Sequence, residues 1–121
     1  MKRVAIPVTN GRLSEYFGEC SEYEVFEMDN TSIRKVVLQI PGHRDINRLP
    51  AWAARQGITD IITYKVDKEI LSLFIINKIN FFIGVPVDEA RNIINDYLDG
   101  SLKSDDKIIR EIMHQNITED A

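Results

Sequence analysis

A three-layer α/β domain with a mixed five-stranded sheet is the fold this sequence predicts, on three observations. Residues 23–28 and 33–40 each alternate in polarity and are joined by the turn-rich Asp29-Asn30-Thr31-Ser32, the pattern of an antiparallel hairpin. Residues 58–64 and 81–85 are short apolar runs separated by a stretch with helical spacing, which marks a crossover between parallel strands. The opening Val4-Ala5-Ile6-Pro7-Val8 is almost continuously apolar, as a strand covered on both faces must be.

Each element has its own justification. Residues 2–8 make the first strand. Pro7 has no N–H to give a ladder, so the strand is expected to end near it, and Asn10-Gly11 makes a turn. A polar loop dotted with aromatic residues runs to Ser21. In the hairpin, Tyr23 and Val25 share one face, Phe26 and Met28 the other; Val36, Leu38 and Ile40 then oppose Lys35, Val37 and Gln39. Pro41-Gly42 ends that strand. Pro50 suits the first turn of a short helix over residues 49–56, and Gly57 its left-handed stop. The strand over 58–64 centres on Ile61 and Ile62. Asp67 is a helix N-cap, with Glu69 in the first turn, Ile70, Leu71, Phe74 and Ile75 as the inward stripe and Asn77 as a left-handed stop. After the strand at 81–85, Asp88 and Glu89 open a helix that turns Ala90, Ile93, Ile94 and Tyr97 inward and stops at Gly100. A last helix over 105–114 aligns Ile108, Ile109, Ile112 and Met113, which pack on the sheet or pair with another chain. The order is β, β, β, α, β, α, β, α, α in one domain, residues 1–115, with 116–121 as a disordered tail.

Composition excludes several classes of function. The chain has 121 residues, 44% of them hydrophobic, and a formal charge of −4, which argues against a general nucleic-acid binder. No apolar run is long enough to span a membrane, and the basic, briefly apolar start lacks a cleavage site, so a cytoplasmic location is expected. A single cysteine excludes an internal disulfide and any metal site built on several cysteines of one chain. The motifs G-x-G-x-x-G, H-E-x-x-H, C-x-x-C and G-x-S-x-G are all missing. Metal-dependent nuclease chemistry needs converging carboxylates, and the strands offer scattered Glu24, Glu27 and Asp60. The protein is expected not to be an enzyme.

Chemistry concentrates in Leu13-Ser14-Glu15-Tyr16-Phe17-Gly18-Glu19-Cys20-Ser21-Glu22-Tyr23, a loop at a strand end, where α/β sheets bind ligands. It holds hydroxyls, carboxylates, two tyrosines and the sole thiol. Cys20 is a candidate soft-metal ligand, and His43 after Pro41-Gly42 a candidate imidazole ligand. Tyr16 and Phe17 line the pocket or plug it, and Gly18 serves the backbone. His114 and the pairs Asp88-Glu89 and Asp105-Asp106 are accounted for by helix dipoles.

Four colinear pieces are shared with a known family. They are the opening Val4-Ala5-Ile6-Pro7-Val8, Ser14-Glu15-Tyr16-Phe17-Gly18 in place of an S-x-H-F-G signature, Tyr23-Glu24-Val25-Phe26-Glu27-Met28, and the closing Tyr97-Leu98-Asp99-Gly100-Ser101-Leu102, like Y-L-x-G-x-L. To about Leu102 the chain resembles the dinitrogenase iron–molybdenum cofactor biosynthesis family, of the NifX and NifB C-terminal domain type, as a divergent member. The resemblance implies an RNase H-like three-layer fold with sheet order 3-2-1-4-5 and helices on both faces. It implies a nitrogen-fixation-related, non-catalytic protein that binds, carries or senses an iron–sulfur or iron–molybdenum cluster or its precursor. Its partners would be the cluster or cluster-assembly proteins, with neither nucleic acid nor membrane, and a homodimer is one assembly to consider. The implied binding residues are Ser14, Tyr16, Phe17, Gly18, Cys20 and His43, with Cys20 and His43 as metal ligands.

The chain departs from that pattern in three places. Tyr16 replaces the signature histidine, and a phenol is a poor ligand unless deprotonated. The family's His- and Gly-rich stretch is reduced to Pro41-Gly42-His43-Arg44-Asp45, and its glycine-rich turn to Tyr64-Lys65-Val66-Asp67. These departures define the alternative, a cluster-free interaction or regulatory module that kept the fold and lost the metal site. An open cleft joining Cys20 to His43 is expected for the first reading, and a cleft filled by Tyr16 for the second.

Overall fold

The computed structural model describes residues 2–20, 22–29, 32–40 and 46–114. Along the chain it forms β1 (Lys2–Thr9), β2 (Arg12–Leu13), β3 (Glu22–Met28), β4 (Ile33–Gln39), α1 (Leu49–Arg55), β5 (Asp60–Ile62), α2 (Lys68–Ile76), β6 (Asn80–Phe82), α3 (Ala90–Asp99) and α4 (Asp106–Met113). The strands make one sheet in the order β4-β3-β1-β5-β6, with β2 pairing β1 to the side. β3 is antiparallel to both β1 and β4, while β1–β5 and β5–β6 are parallel. The five longer strands thus keep the expected order, and the difference is the added β2.

That extra strand is a tight return. Asn10 and Gly11 both lie in the left-handed region (φ 54 and 78), as a two-residue hairpin turn requires, and Val8 and Thr9 pair with Leu13 and Arg12. Pro7 sits inside β1, opposite Tyr23, instead of at the strand exit. Its carbonyl accepts the Ser14 N–H at 2.9 Å. A strand residue points its nitrogen and its carbonyl to the same side, so Pro7 turns its missing donor away from β3 and the β1–β3 ladder loses nothing.

Two cores flank the sheet. On one face Ala5, Tyr23, Val25 and Ile61 pack against Leu49 and Ala53 of α1, Ile70, Leu71 and Phe74 of α2, and Ile108 and Ile112 of α4. On the other, Val4, Ile6, Val8, Phe26 and Ile62 pack against Ala90, Ile93 and Ile94 of α3. Among the described residues, three helices cover the first face and one covers the second. The α3 side of β4 is left to solvent, with Ile33 and Val37 about half exposed.

Several details differ from the sequence expectation. Gly57 and Gly100 end their helices with positive φ as expected, but Asn77 stays right-handed (φ −81) and Lys78 takes the left-handed position. Ile75 of α2 and Met113 of α4 face solvent, because each helix meets the sheet along a narrower stripe than periodicity suggests. β5 and β6 are three residues each, shorter than the apolar runs 58–64 and 81–85 that predict them. Residues 116–121, read as a tail, lie outside the described residues.

Candidate functional site

β1 and β5 lie side by side and parallel, yet the chain leaves their carboxyl ends in different directions. From β1 it returns to β2 and then to β3 on one side; from β5 it goes through α2 to β6 on the other. Such a switch point is where open α/β sheets form ligand crevices. The loop after β1 carries the signature residues, and the segment after β5 carries Thr63 to Val66.

The two segments are stitched together by backbone. Tyr16 and Lys65 form a parallel bridge. The Phe17 N–H donates to the Lys65 carbonyl at 2.9 Å, and the Lys65 N–H to the Glu15 carbonyl at 3.2 Å. The chain then makes a 3-10 turn, Phe17–Glu19, which drives Phe17 into the core. Its ring meets Phe74 edge-on at 5.4 Å, Phe81 at 6.1 Å and Tyr23 at 6.3 Å. Offset and edge-on aromatic packing of this kind fixes a loop more firmly than its polar sequence suggests.

The residues expected at the site separate into two sets. Tyr16 is 47% exposed, and Gly18 and Glu15 face solvent. Beside them the Lys65 ammonium lies 5.4 Å from the Tyr16 ring centroid and 5.5 Å from that of Tyr64. Tyr16 therefore stands on the rim as one wall of a cation–aromatic platform and does not plug a cleft. The other set is internal. Ser14 is buried with its hydroxyl 2.7 Å from that of Thr9, and Phe17 is in the aromatic cluster.

Cys20, expected on a partly exposed loop, is 1% exposed and shares the core with Phe17 and Tyr23. The cause is local: Cys20 ends the 3-10 turn, its N–H reaching back to the Phe17 carbonyl at 3.5 Å, and the turn rotates its side chain inward behind Phe17. His43, the other expected ligand, lies outside the described residues. Among the described residues no three His, Cys, Asp or Glu side chains converge on a point where a metal ion could sit. Lys65 is the rim residue that sequence reasoning missed. It was visible as a substitution in a glycine-rich turn, but nothing in the sequence told that it faces Tyr16.

Residues 1–100 match the family described as Dinitrogenase iron-molybdenum cofactor. The chain belongs to that family. Among relatives of this chain is MJ0580 of Methanocaldococcus jannaschii, 24% identical over an alignment of 79 residues that covers 61% of this chain and 67% of that one. The crystal structure of PH0822 aligns at a TM-score of 0.77 with 22% identity, covering 85% of this chain and 94% of that one. The apo form of the orange protein from Desulfovibrio gigas aligns at 0.71 with 16% identity, covering 87% and 93%. At those identities the likeness is one of fold, and it extends over nearly the whole of both structures.

Proposed function

We propose that this member of the dinitrogenase iron–molybdenum cofactor family is a non-catalytic protein. It binds and carries an iron–sulfur or iron–molybdenum type cluster, or a precursor, as cargo at the rim between the loops after β1 and β5. The observation that carries the reading is the Tyr16–Lys65 bridge, which holds the signature segment across the switch point and keeps a cation beside exposed Tyr16. An ammonium attracts a cluster whose sulfides and thiolates give it negative charge, without ligating it. Gly18, lacking a Cβ, lets cargo approach the backbone closely. Ser14, Phe17 and Cys20 support the loop from beneath, and His43 supplies the imidazole. The reading places the protein in the cytoplasm with cluster-assembly proteins as partners. No helix among the described residues is long and apolar enough to cross a membrane.

One observation favours the alternative, a cluster-free interaction or regulatory module. The sole thiol is sealed, and a thiolate is the standard ligand of such clusters. Anaerobic purification, reconstitution with iron and sulfide, and measurement of bound iron, sulfide and visible absorbance separate the two. The carrier reading expects a coloured wild type, loss of bound iron in Lys65→Ala and in His43→Ala, and retention in Cys20→Ser. A wild type that stays colourless and metal-free after reconstitution selects the alternative.

A further inference from the structure

β4 ends the sheet. It is seven residues long, and its register against β3 runs unbroken from Glu22 opposite Gln39 to Met28 opposite Ile33. It contains no proline, glycine or bulge. Natural edge strands ordinarily carry such a device, or a guarding charge, because their free N–H and C=O groups are a template for another strand. β4 does have Arg34 and Lys35, but both are drawn back onto β3. The Arg34 Nε donates to Glu27 Oε1 at 2.8 Å, and the Lys35 Nζ lies 3.5 Å from Glu24 Oε1. On the α3 side the same strand exposes Ile33 at 51% and Val37 at 46%.

We propose that β4 is the seam of a symmetric homodimer, two copies of the strand pairing antiparallel about Val36 so that the two sheets become one. The occupant follows from the register. Directly opposed residues of a pleated pair share a face, so a two-fold seam must be centred on a residue. Centring on Lys35 would set two ammonium groups against each other. Centring on Val37 would leave Ile33 beyond the end of the partner strand. Centring on Val36 sets Ile33 against the partner's Gln39, Arg34 against the partner's Leu38, and Lys35 against the partner's Val37. In that register no like charges meet, and the aliphatic stem of Lys35 covers a half-exposed valine at both symmetric positions. The bare α3-side patches of the two copies then adjoin. With burial confined to one strand and its neighbours, the association is weak and concentration-dependent.

The register gives its own test, read by sedimentation equilibrium up to about 1 mM protein. Val37→Lys faces the partner's Lys35 twice but sits opposite Glu24 of its own β3, so the fold gains a pair where the seam gains two repulsions. Dimerisation should weaken about tenfold or more. Adding Lys35→Glu to that variant sets a carboxylate against the introduced ammonium and should restore affinity to within about threefold of wild type. In the wild type, amide exchange of β4 should slow as protein concentration rises, while that of α2 does not. A wild type monomeric at about 1 mM overturns the proposal. So does a dimer indifferent to Val37→Lys, one not restored by the double variant, or one whose β4 amides gain no protection.

Discussion

The two ends of the parallel strands handle polar groups in opposite ways. At the carboxyl end, backbone bonds fix the rim, Tyr16 is left facing solvent, and half-buried Lys65 lies beside it. At the amino end, charge is taken inside and used up. Asp60 is 1% exposed and accepts from the Thr59 hydroxyl at 2.6 Å, the Tyr97 hydroxyl at 3.3 Å, and Lys2 Nζ and Asn80 Nδ2 at 3.4 Å each. Glu27, also buried, is held between Arg3 and Arg34. The two carboxylates lie on opposite faces of the sheet: Glu27 on the side of Tyr23 and Val25, Asp60 on the side of Ile62. They cannot converge on one ion. Buried carboxylates that are held by several donors build the fold; the end of the sheet free to meet a ligand is the one that leaves its polar groups half in water.

The sharpest way to break this contrast is to remove what holds the rim in place. Phe17→Ala deletes a ring that touches Phe74, Phe81 and Tyr23. It should cost about 3–5 kcal/mol in urea unfolding. Before global unfolding, hydrogen exchange at the Phe17 and Lys65 amides should accelerate while that of the Asp60 region keeps its protection. Equal acceleration at both ends would show that they are not independent.

Asp60→Asn attacks the other end. It swaps an acceptor for an amide donor among the groups that now give hydrogen bonds to Oδ2, so a buried polar group loses its partner. The expected loss is about 1–3 kcal/mol. The iron binding proposed for the rim should be unchanged, and a variant of wild-type stability would remove the structural role assigned to the amino end.

What was legible in the sequence follows the same division. The hairpin and both crossovers were readable because apolar periodicity records burial directly: Val25 against Phe26, or Ile93 with Ile94, declare their faces; the strand order was implied by the family resemblance and not by periodicity. β2 was not, since two residues carry no period. Cys20 was read onto the surface because Gly18-Glu19-Cys20-Ser21 looks polar, and a single 3-10 turn reverses that. Asp60 looked scattered because Lys2 and Tyr97 are 58 and 37 residues away in the chain, and only the sheet brings them together. The family signature pointed to the loop after β1 without saying which of its side chains face out.

The smallest effects use pH to address the two ends of α3 separately. Near its last turn, the hydrogen bond with the Tyr97 hydroxyl and the charge of Asp60 raise the pKa of Lys2 above its ordinary 10.5. A raised value means stability that is complete below 10.5 and fades as pH climbs through the folded-state value. Because the Lys2 side chain is 55% exposed, the amount is below about 1 kcal/mol. Lys2→Met should therefore flatten the alkaline limb of a melting-temperature profile. At the first turn, the Asp88 carboxylate accepts the Asn92 side-chain amide and the Glu89 N–H, and its pKa falls below the usual 3.8. A depressed value stabilises above 3.8 and is lost as pH falls through the folded-state value. Asp88→Ala should lower the melting temperature slightly at neutral pH and converge with wild type in strong acid. Wild type and variant that stay parallel down to pH about 2 would mean the capping contact contributes nothing in solution.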